Sequence, residues 1–224
     1  MIMESTSGSS IALGVAQRRI IVGLTGASGG IYFLRTVRAL LTLGHQVDVV
    51  MSKYGLLTLR QETGFQASPS DLGAALLARY GTEIERGSLR VHGHQDQSAP
   101  IASGSCKVDG MVVVPCSMKT LSGVAHGAAS NLIERAADVT LKERRPLVLV
   151  PRESPMSLIH LRNMVAVAEA GAAIVPASPA FYQQPTTFDD LGDFIAARVL
   201  SLLGVEHELT ARWEGLAGPP DEER

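Results

Sequence analysis

Apolar positions along this chain fall into two alternating patterns. Residues 18–25 (Arg-Arg-Ile-Ile-Val-Gly-Leu-Thr) form a short β-branched run, which predicts a buried strand. Ile31, Leu34, Val37, Leu40 and Leu41 then recur at helical spacing, and Gly44 closes the segment. Residues 46–51 (Gln-Val-Asp-Val-Val-Met) read as a second strand. A βαβ unit of this kind implies parallel pairing and a right-handed crossover. Residues 53–105 carry a weaker pattern. Only 71–80 reads as a helix there, with Leu72, Ala75, Leu76 and Tyr80 on one face, and 93–104 has polar loop composition. From Met111 onward three apolar runs each close in Val-Pro: 111–114 with Pro115, 147–150 with Pro151, and 173–175 with Pro176. Helical stretches are predicted between them at about 121–142 and 157–170, with a last helix over 188–203.

The repeated Val-Pro carries information about place. Proline cannot donate to a ladder and keeps the residue before it extended. Each strand is therefore expected to stop there, at the carboxyl edge of a parallel sheet, where open α/β folds hold ligands. The pairs after the prolines (Cys116-Ser117, Arg152-Glu153 and Ala177-Ser178) should face one crevice with the loop at 25–30. The fold class expected is α/β, a flavodoxin-like or Rossmann-type three-layer sandwich with a mostly parallel sheet. Residues 1–17 read as a disordered leader, 18–205 as a single domain and 206–224 as a tail.

Composition narrows the function. The chain has 224 residues, of which 46% are apolar and 19% charged, with a formal net charge of −2. That balance gives no electrostatic reason to expect nucleic acid or an anionic membrane as partner. Five Phe, four Tyr and one Trp make no stacking platform for single strands. No apolar run reaches the roughly 20 residues of a membrane span. The first basic residue is Arg18 and the apolar stretch 11–16 is short, so a secretory signal is rejected. Cys106 and Cys116 match no metal or redox spacing, and two reduced thiols in a cytoplasmic protein are expected.

Several motifs are candidates for chemistry. Thr25-Gly26-Ala27-Ser28-Gly29-Gly30 follows a strand and opens a helix, a setting that suits an anion. It matches neither the dinucleotide nor the P-loop fingerprint. Ser52-Lys53 stands where a dinucleotide fold favours an acid, and Asp48 reads as mid-strand. A small-residue turn serving only close packing is the alternative. Cys116-Ser117-Met118-Lys119-Thr120 is a second polar strand-to-helix turn, able to hold a phosphate or to act as a plain N-cap. Asp189-Asp190-Leu191-Gly192-Asp193 matches the D-D-x-x-D motif of helical prenyl synthases. Here it fits a helix start better, with Thr187 as cap and acids in the first turn. Glu134, Arg135, Asp138, Lys142, Glu143, Arg144 and Arg145 read by spacing alone as a solvated helix face. The histidines show no metal spacing.

Taken together, the segments 23–30, 115–121, 131–138, 141–155, 160–164 and 179–185 resemble the UbiX/Pad1 flavin prenyltransferases. The resemblance implies an enzyme that joins a dimethylallyl group from dimethylallyl phosphate to reduced FMN at N5 and C6, without a metal. The product, prenylated FMN, would serve a UbiD-type decarboxylase. It also implies roles for residues. Gly26, Ala27, Ser28, Ser52, Ser117, Met118, Lys119, Thr120 and Arg135 would bind FMN. Lys142, Arg152, Tyr182 and Arg198 would hold the prenyl phosphate, and Glu153 and Glu62, with Ser28, would be catalytic. A homo-oligomer with shared active sites, a dodecamer, is implied as well. Gln97 stands where the family often has an aromatic residue, which bears on how the prenyl tail is covered. The competing readings are an FMN-dependent decarboxylase acting on cysteine-derived groups and a non-catalytic flavin-binding subunit.

Overall fold

The computed structural model describes residues 16–210; most of the expected leader and tail lie outside them. Strand β1 (Arg19–Leu24) leads through α1 (Gly30–Thr42) to β2 (Gln46–Met51), then through α2 (Lys53–Thr63) and α3 (Leu72–Tyr80) to β3 (Ser88–His92). Strand β4 (Gly110–Cys116) is followed by α4 (Met118–Ala125), α5 (Leu132–Lys142) and β5 (Leu147–Pro151). Helix α6 (Leu158–Glu169), β6 (Ala173–Ile174) and α7 (Phe188–Leu202) complete the described chain. The six strands form one sheet in the order β3-β2-β1-β4-β5-β6, and every pair is parallel.

Alternation along the central strands feeds two cores. Ile20, Val22 and Leu24 pack with Phe33 and Leu34 of α1, Leu59 of α2, Leu72 and Leu76 of α3, and Ile195 and Val199 of α7. Ile21, Met111 and Val113 face the other way, onto Leu121 of α4, Ile133 and Ala137 of α5, and Val167 of α6. The result is the three-layer α/β sandwich expected from the sequence. Connections from β1 run toward β2 and those from β4 toward β5. The order therefore reverses between β1 and β4, the switch point where such sheets bind ligands.

Three local expectations are corrected. First, β4 does not stop at Val114: it runs through Pro115 to Cys116, and its register with β5 shifts between Val113 and Cys116. The missing proline N–H falls in that irregularity, where it breaks no ladder bond. Second, 121–142 is two helices. Gly127 and Ala129 take φ of 61° and 47°, and the Asn131 side chain accepts from the Glu134 N–H to start α5. Third, 53–105 holds α2 and the edge strand β3, neither of which the pattern resolved. Helix α2 buries only Gly55 and Leu59, and β3 is nowhere fully buried.

Asp48 is 1% exposed. It accepts from Arg19 Nε at 2.6 Å and Nη2 at 3.0 Å, and pairs with His92 Nε2 at 2.7 Å. Burial alone would raise its pKa, but the guanidinium and imidazole outweigh that and hold it below the ordinary carboxylate value. This acid ties three strands together and is not free to meet a ribose.

Candidate active site

Three strand-to-helix turns meet at the carboxyl edge: 25–30 after β1, 52–55 after β2 and 116–120 after β4. Thr25 joins the first to the third. Its buried hydroxyl donates to the Pro115 carbonyl at 2.8 Å and accepts from the Ser117 N–H at 2.7 Å. The sequence offered Thr25 as a strand end and the first residue of the glycine turn, and this bridge to the third turn was missed.

The first turn is filled by its own protein. Glu62, in the last turn of α2, accepts from the backbone N–H groups of Gly29 and Gly30, each at 2.9 Å. The Ser28 hydroxyl bonds the same carboxylate. Desolvation pushes the Glu62 pKa up, but Ser28, the two backbone donors and the nearby Arg152 charge bring it below its usual value. Glu62 is therefore a carboxylate at neutral pH, able to accept a proton rather than give one. Arg152 also acts on Tyr32, whose phenol is kept protonated by burial. Ser28, Tyr32 and Glu62 share one cavity wall. Of these, Tyr32 read in the sequence only as part of a helix.

The second and third turns remain open. Ser52 caps α2 by accepting from the Gly55 N–H at 3.0 Å. Ser117 caps α4 by accepting from the Thr120 N–H at 3.3 Å, and its hydroxyl meets that of Thr120 at 3.1 Å. Among the described residues no protein acceptor meets the N–H groups of Lys53 and Tyr54, or of Met118 and Lys119. Both lysines are exposed. Two free helix N-termini with a cation on each fit the phosphate of FMN. Gly26 and Ala27 lie between β1 and Ser28; Gly26 packs so closely on Tyr54 that an added Cβ would stand 2.7 Å from the Tyr54 Cβ, and Ala27 is buried.

The remaining expected residues separate. Glu153 follows β5, and its Oε1 accepts from the Ser154 N–H at 3.0 Å; no Arg152–Glu153 ion pair occurs among the described residues. Arg135 on α5 donates to the Ala102 carbonyl at 3.1 Å and pairs with Asp138 at 2.7 Å. Tyr182 and Arg198 line a common cavity beside α7, and the Tyr182 ring packs edge-on against Phe194 at 6.3 Å. Lys142 closes α5 and pairs with Glu143 at 2.9 Å. Helix α5 returns antiparallel to the strands and leads into β5, so Lys142 sits at the amino edge of the sheet, opposite Arg152. One chain does not gather the four expected phosphate ligands.

The acids of 189–193 are engaged elsewhere. Asp189 meets Arg35 at 3.1 Å and Asp193 grips the same guanidinium through two bonds of 2.6 Å. Asp190 accepts from the Thr186 and Thr187 N–H groups, which hold its pKa down to about 2. The Cys116 thiol is fully buried and pushed up to about 12, so it stays neutral.

A flavoprotein family model matches residues 13–200. The flavin prenyltransferase UbiX of Pseudomonas aeruginosa is 48% identical over 197 residues, 87% of this chain and 93% of that protein. This chain belongs to the UbiX flavin prenyltransferase family. The UbiX enzyme of Halalkalibacterium halodurans is 46% identical, with 86% and 91% of the two chains covered. The crystal structure of AnUbiX (PadA1) in complex with FMN and dimethylallyl pyrophosphate matches with a TM-score of 0.80 at 42% identity, over 90% of this chain and 100% of that one. A dodecameric FMN-dependent UbiX-like decarboxylase from Escherichia coli O157:H7 gives 0.78 at 44% identity, over 88% and 100%. A cysteine decarboxylase of thioviridamide biosynthesis matches at 0.54 with 16% identity over 84% of this chain and 99% of that one, so it shares the fold alone with the UbiX family. No helix among the described residues is long and apolar enough to cross a membrane.

Proposed function

We propose that this protein transfers a dimethylallyl group from dimethylallyl phosphate to reduced FMN, at N5 and then C6, and hands the prenylated FMN to a UbiD-type decarboxylase. The observation that carries the reading is the Ser28–Glu62 pair on the Gly29 and Gly30 N–H groups, beside Arg152, at the switch point of a chain so similar to UbiX enzymes. Lys53 and Lys119, with the helix N-termini they flank, hold the FMN phosphate. Ser52, Ser117 and Thr120 shape those turns, and Gly26, Ala27 and Met118 border the ring. Arg135 braces α5 through Ala102 and is assigned to the outer rim of the FMN site.

Bound reduced FMN supplies the nucleophilic N5 and C6. Breaking the C–O bond of the prenyl phosphate releases phosphate, and Arg152 holds that charge through charge-assisted hydrogen bonds. Ring closure needs one proton delivered to the alkene and one removed from C6. Glu62, ionised and steadied by Ser28, takes the proton from C6. Glu153, on the same edge, manages the proton at the alkene. No metal takes part, because the guanidinium and ammonium groups carry the leaving-group charge.

Lys142, Tyr182 and Arg198 join this site from neighbouring copies in a homo-oligomer, a dodecamer. The exposed apolar residues Leu158, Ile159, Leu161 and Val165 of α6 supply a surface for such contacts. The protein works in the cytoplasm. The test is anaerobic incubation of the protein with reduced FMN and dimethylallyl phosphate, in the presence and absence of EDTA, followed by mass analysis of the flavin. Prenylated FMN in both samples supports the reading. Unmodified FMN refutes it, and loss only with EDTA refutes metal independence.

A further inference from the structure

A cavity of about 600 Å³ opens beyond Ser28 and Glu62 and runs outward to Arg79, at the end of α3. Its size is in the range of small-molecule sites, roughly 300–1,000 Å³. One wall is apolar, made of Ile31, Phe188 and Leu191, with Phe188 left 79% exposed. The charges lining it do not cancel. Asp189 shares the Arg35 guanidinium with Asp193. Glu62 is matched by Ser28, two backbone N–H groups and the field of Arg152. Arg79 has no carboxylate partner among the described residues; its guanidinium lies over the face of Tyr80, 5.5 Å from the ring centroid. The mouth of the cavity therefore carries an uncompensated guanidinium beside an apolar wall.

We propose that this cavity is the entry site for the prenyl phosphate, with Arg79 pairing the phosphate and Phe188 and Leu191 receiving the five-carbon tail. The inference rests on the prenyl-transfer reading and adds to it a binding position distinct from the reacting one. A short apolar tail with an anionic head is the ligand class that a lone guanidinium over an apolar wall recognises. FMN fits poorly there, since its phosphate has the two lysine-flanked helix N-termini. Arg79 is exposed on α3 and bonds neither Ser28 nor Glu62 among the described residues, so it acts on capture and not on bond breaking. A charge at a cavity mouth raises the encounter rate of an oppositely charged ligand and makes that rate sensitive to salt.

The test compares wild type with Arg79→Gln and Arg79→Lys, using dimethylallyl monophosphate and reduced FMN. Loss of one charge-assisted contact corresponds to about a tenfold change in affinity. Arg79→Gln should raise KM for the prenyl phosphate about tenfold, leave kcat near wild type and flatten the fall of kcat/KM with ionic strength. Arg79→Lys should recover most of the KM. Calorimetric titration of dimethylallyl monophosphate into the protein loaded with oxidised FMN gives a readout that needs no turnover, and there Arg79→Gln should weaken binding to the same extent. An unchanged KM and salt dependence, or an equal loss of FMN affinity, overturns the proposal. If wild type binds the prenyl phosphate but yields no product, the prenyl-transfer reading fails while the entry site stands.

Discussion

Changing Glu62 to Gln separates the two jobs this side chain performs. As a structural group it receives two backbone N–H donors at 2.9 Å and the Ser28 hydroxyl. Gln keeps an acceptor oxygen, so these bonds persist but lose their charge assistance, a difference of about 1 kcal/mol per bond when shielded from water. Glu62 is exposed, and solvent screening brings the total to about 1 kcal/mol. The sign with pH follows from its depressed pKa. The stabilisation is fully present above the ordinary glutamate value of 4.5 and is lost as pH falls through the lower folded-state value. Wild type should thus melt slightly above Glu62→Gln at pH 7, and the gap should close in strongly acidic buffer. As a chemical group, Glu62 loses its proton-accepting capacity entirely. Removal of a general base typically costs about 10²–10⁴ in rate. Single-turnover absorbance with mass analysis should show FMN bound normally, formation of a singly attached N5 product, and slow closure at C6. A variant that closes the ring at the wild-type rate would refute the base assignment and leave Glu62 as a cap on the glycine turn.

Four further outcomes follow from the same geometry. Glu153→Gln should bind FMN as wild type does and slow product formation by about 10² or more, measured by single turnover; a wild-type rate removes it from the chemistry. Tyr182→Phe and Arg198→Ala should weaken use of the prenyl phosphate, Arg198→Ala by about 1.5–3 kcal/mol, with FMN affinity from calorimetry nearly intact. Because Lys142 and Arg152 occupy opposite sheet edges, co-expressed Lys142→Ala and Arg198→Ala chains should regain about a quarter of wild-type activity if the two residues reach each site from different copies; continued inactivity of the mixed oligomer places them on one chain. Asp48→Asn should cost about 3 kcal/mol by stranding Arg19, and wild type should itself lose that stabilisation as pH falls through the depressed Asp48 value, both read by denaturant titration.

The fold was legible where burial is two-sided. β1, β2, β4 and β5 are nearly all buried, so their apolar runs stand out without any knowledge of their partners. α7 was legible through its start: Thr187 and Asp190 exchange bonds in a capping box, the local signal that the sequence displays. Where an element covers little core the signal fades, as in α2 and β3. The break between α4 and α5 hinges on positive φ at Gly127 and Ala129, and an alanine in that conformation leaves no mark in composition. The candidate site was assembled by resemblance more than by pattern. Glu62 reads as a surface acid until α2 is laid across the glycine turn. Tyr32 and Arg79 gain meaning only from the cavity they share.

The glycine turn also shows how an anion-suited feature can be committed before any ligand arrives. From sequence, the N-terminus of α1 is a setting that suits an anion. In the fold, Glu62 already supplies the negative charge that the Gly29 and Gly30 N–H groups favour. A second anion there would face the carboxylate at close range, with repulsion of several kcal/mol at the effective dielectric of a protein surface. On the proposed reading the FMN phosphate goes instead to α2 and α4, whose first N–H groups meet no protein acceptor among the described residues. That displacement has a chemical consequence. With its phosphate on those two turns, FMN would lie across the switch point, with its ring system extending toward Ser28 and Glu62. The base is held at the helix N-terminus, where the dipole keeps it ionised. On the proposed reading one carboxylate would both exclude the FMN phosphate from the reacting end of the crevice and stand ready there to accept a proton.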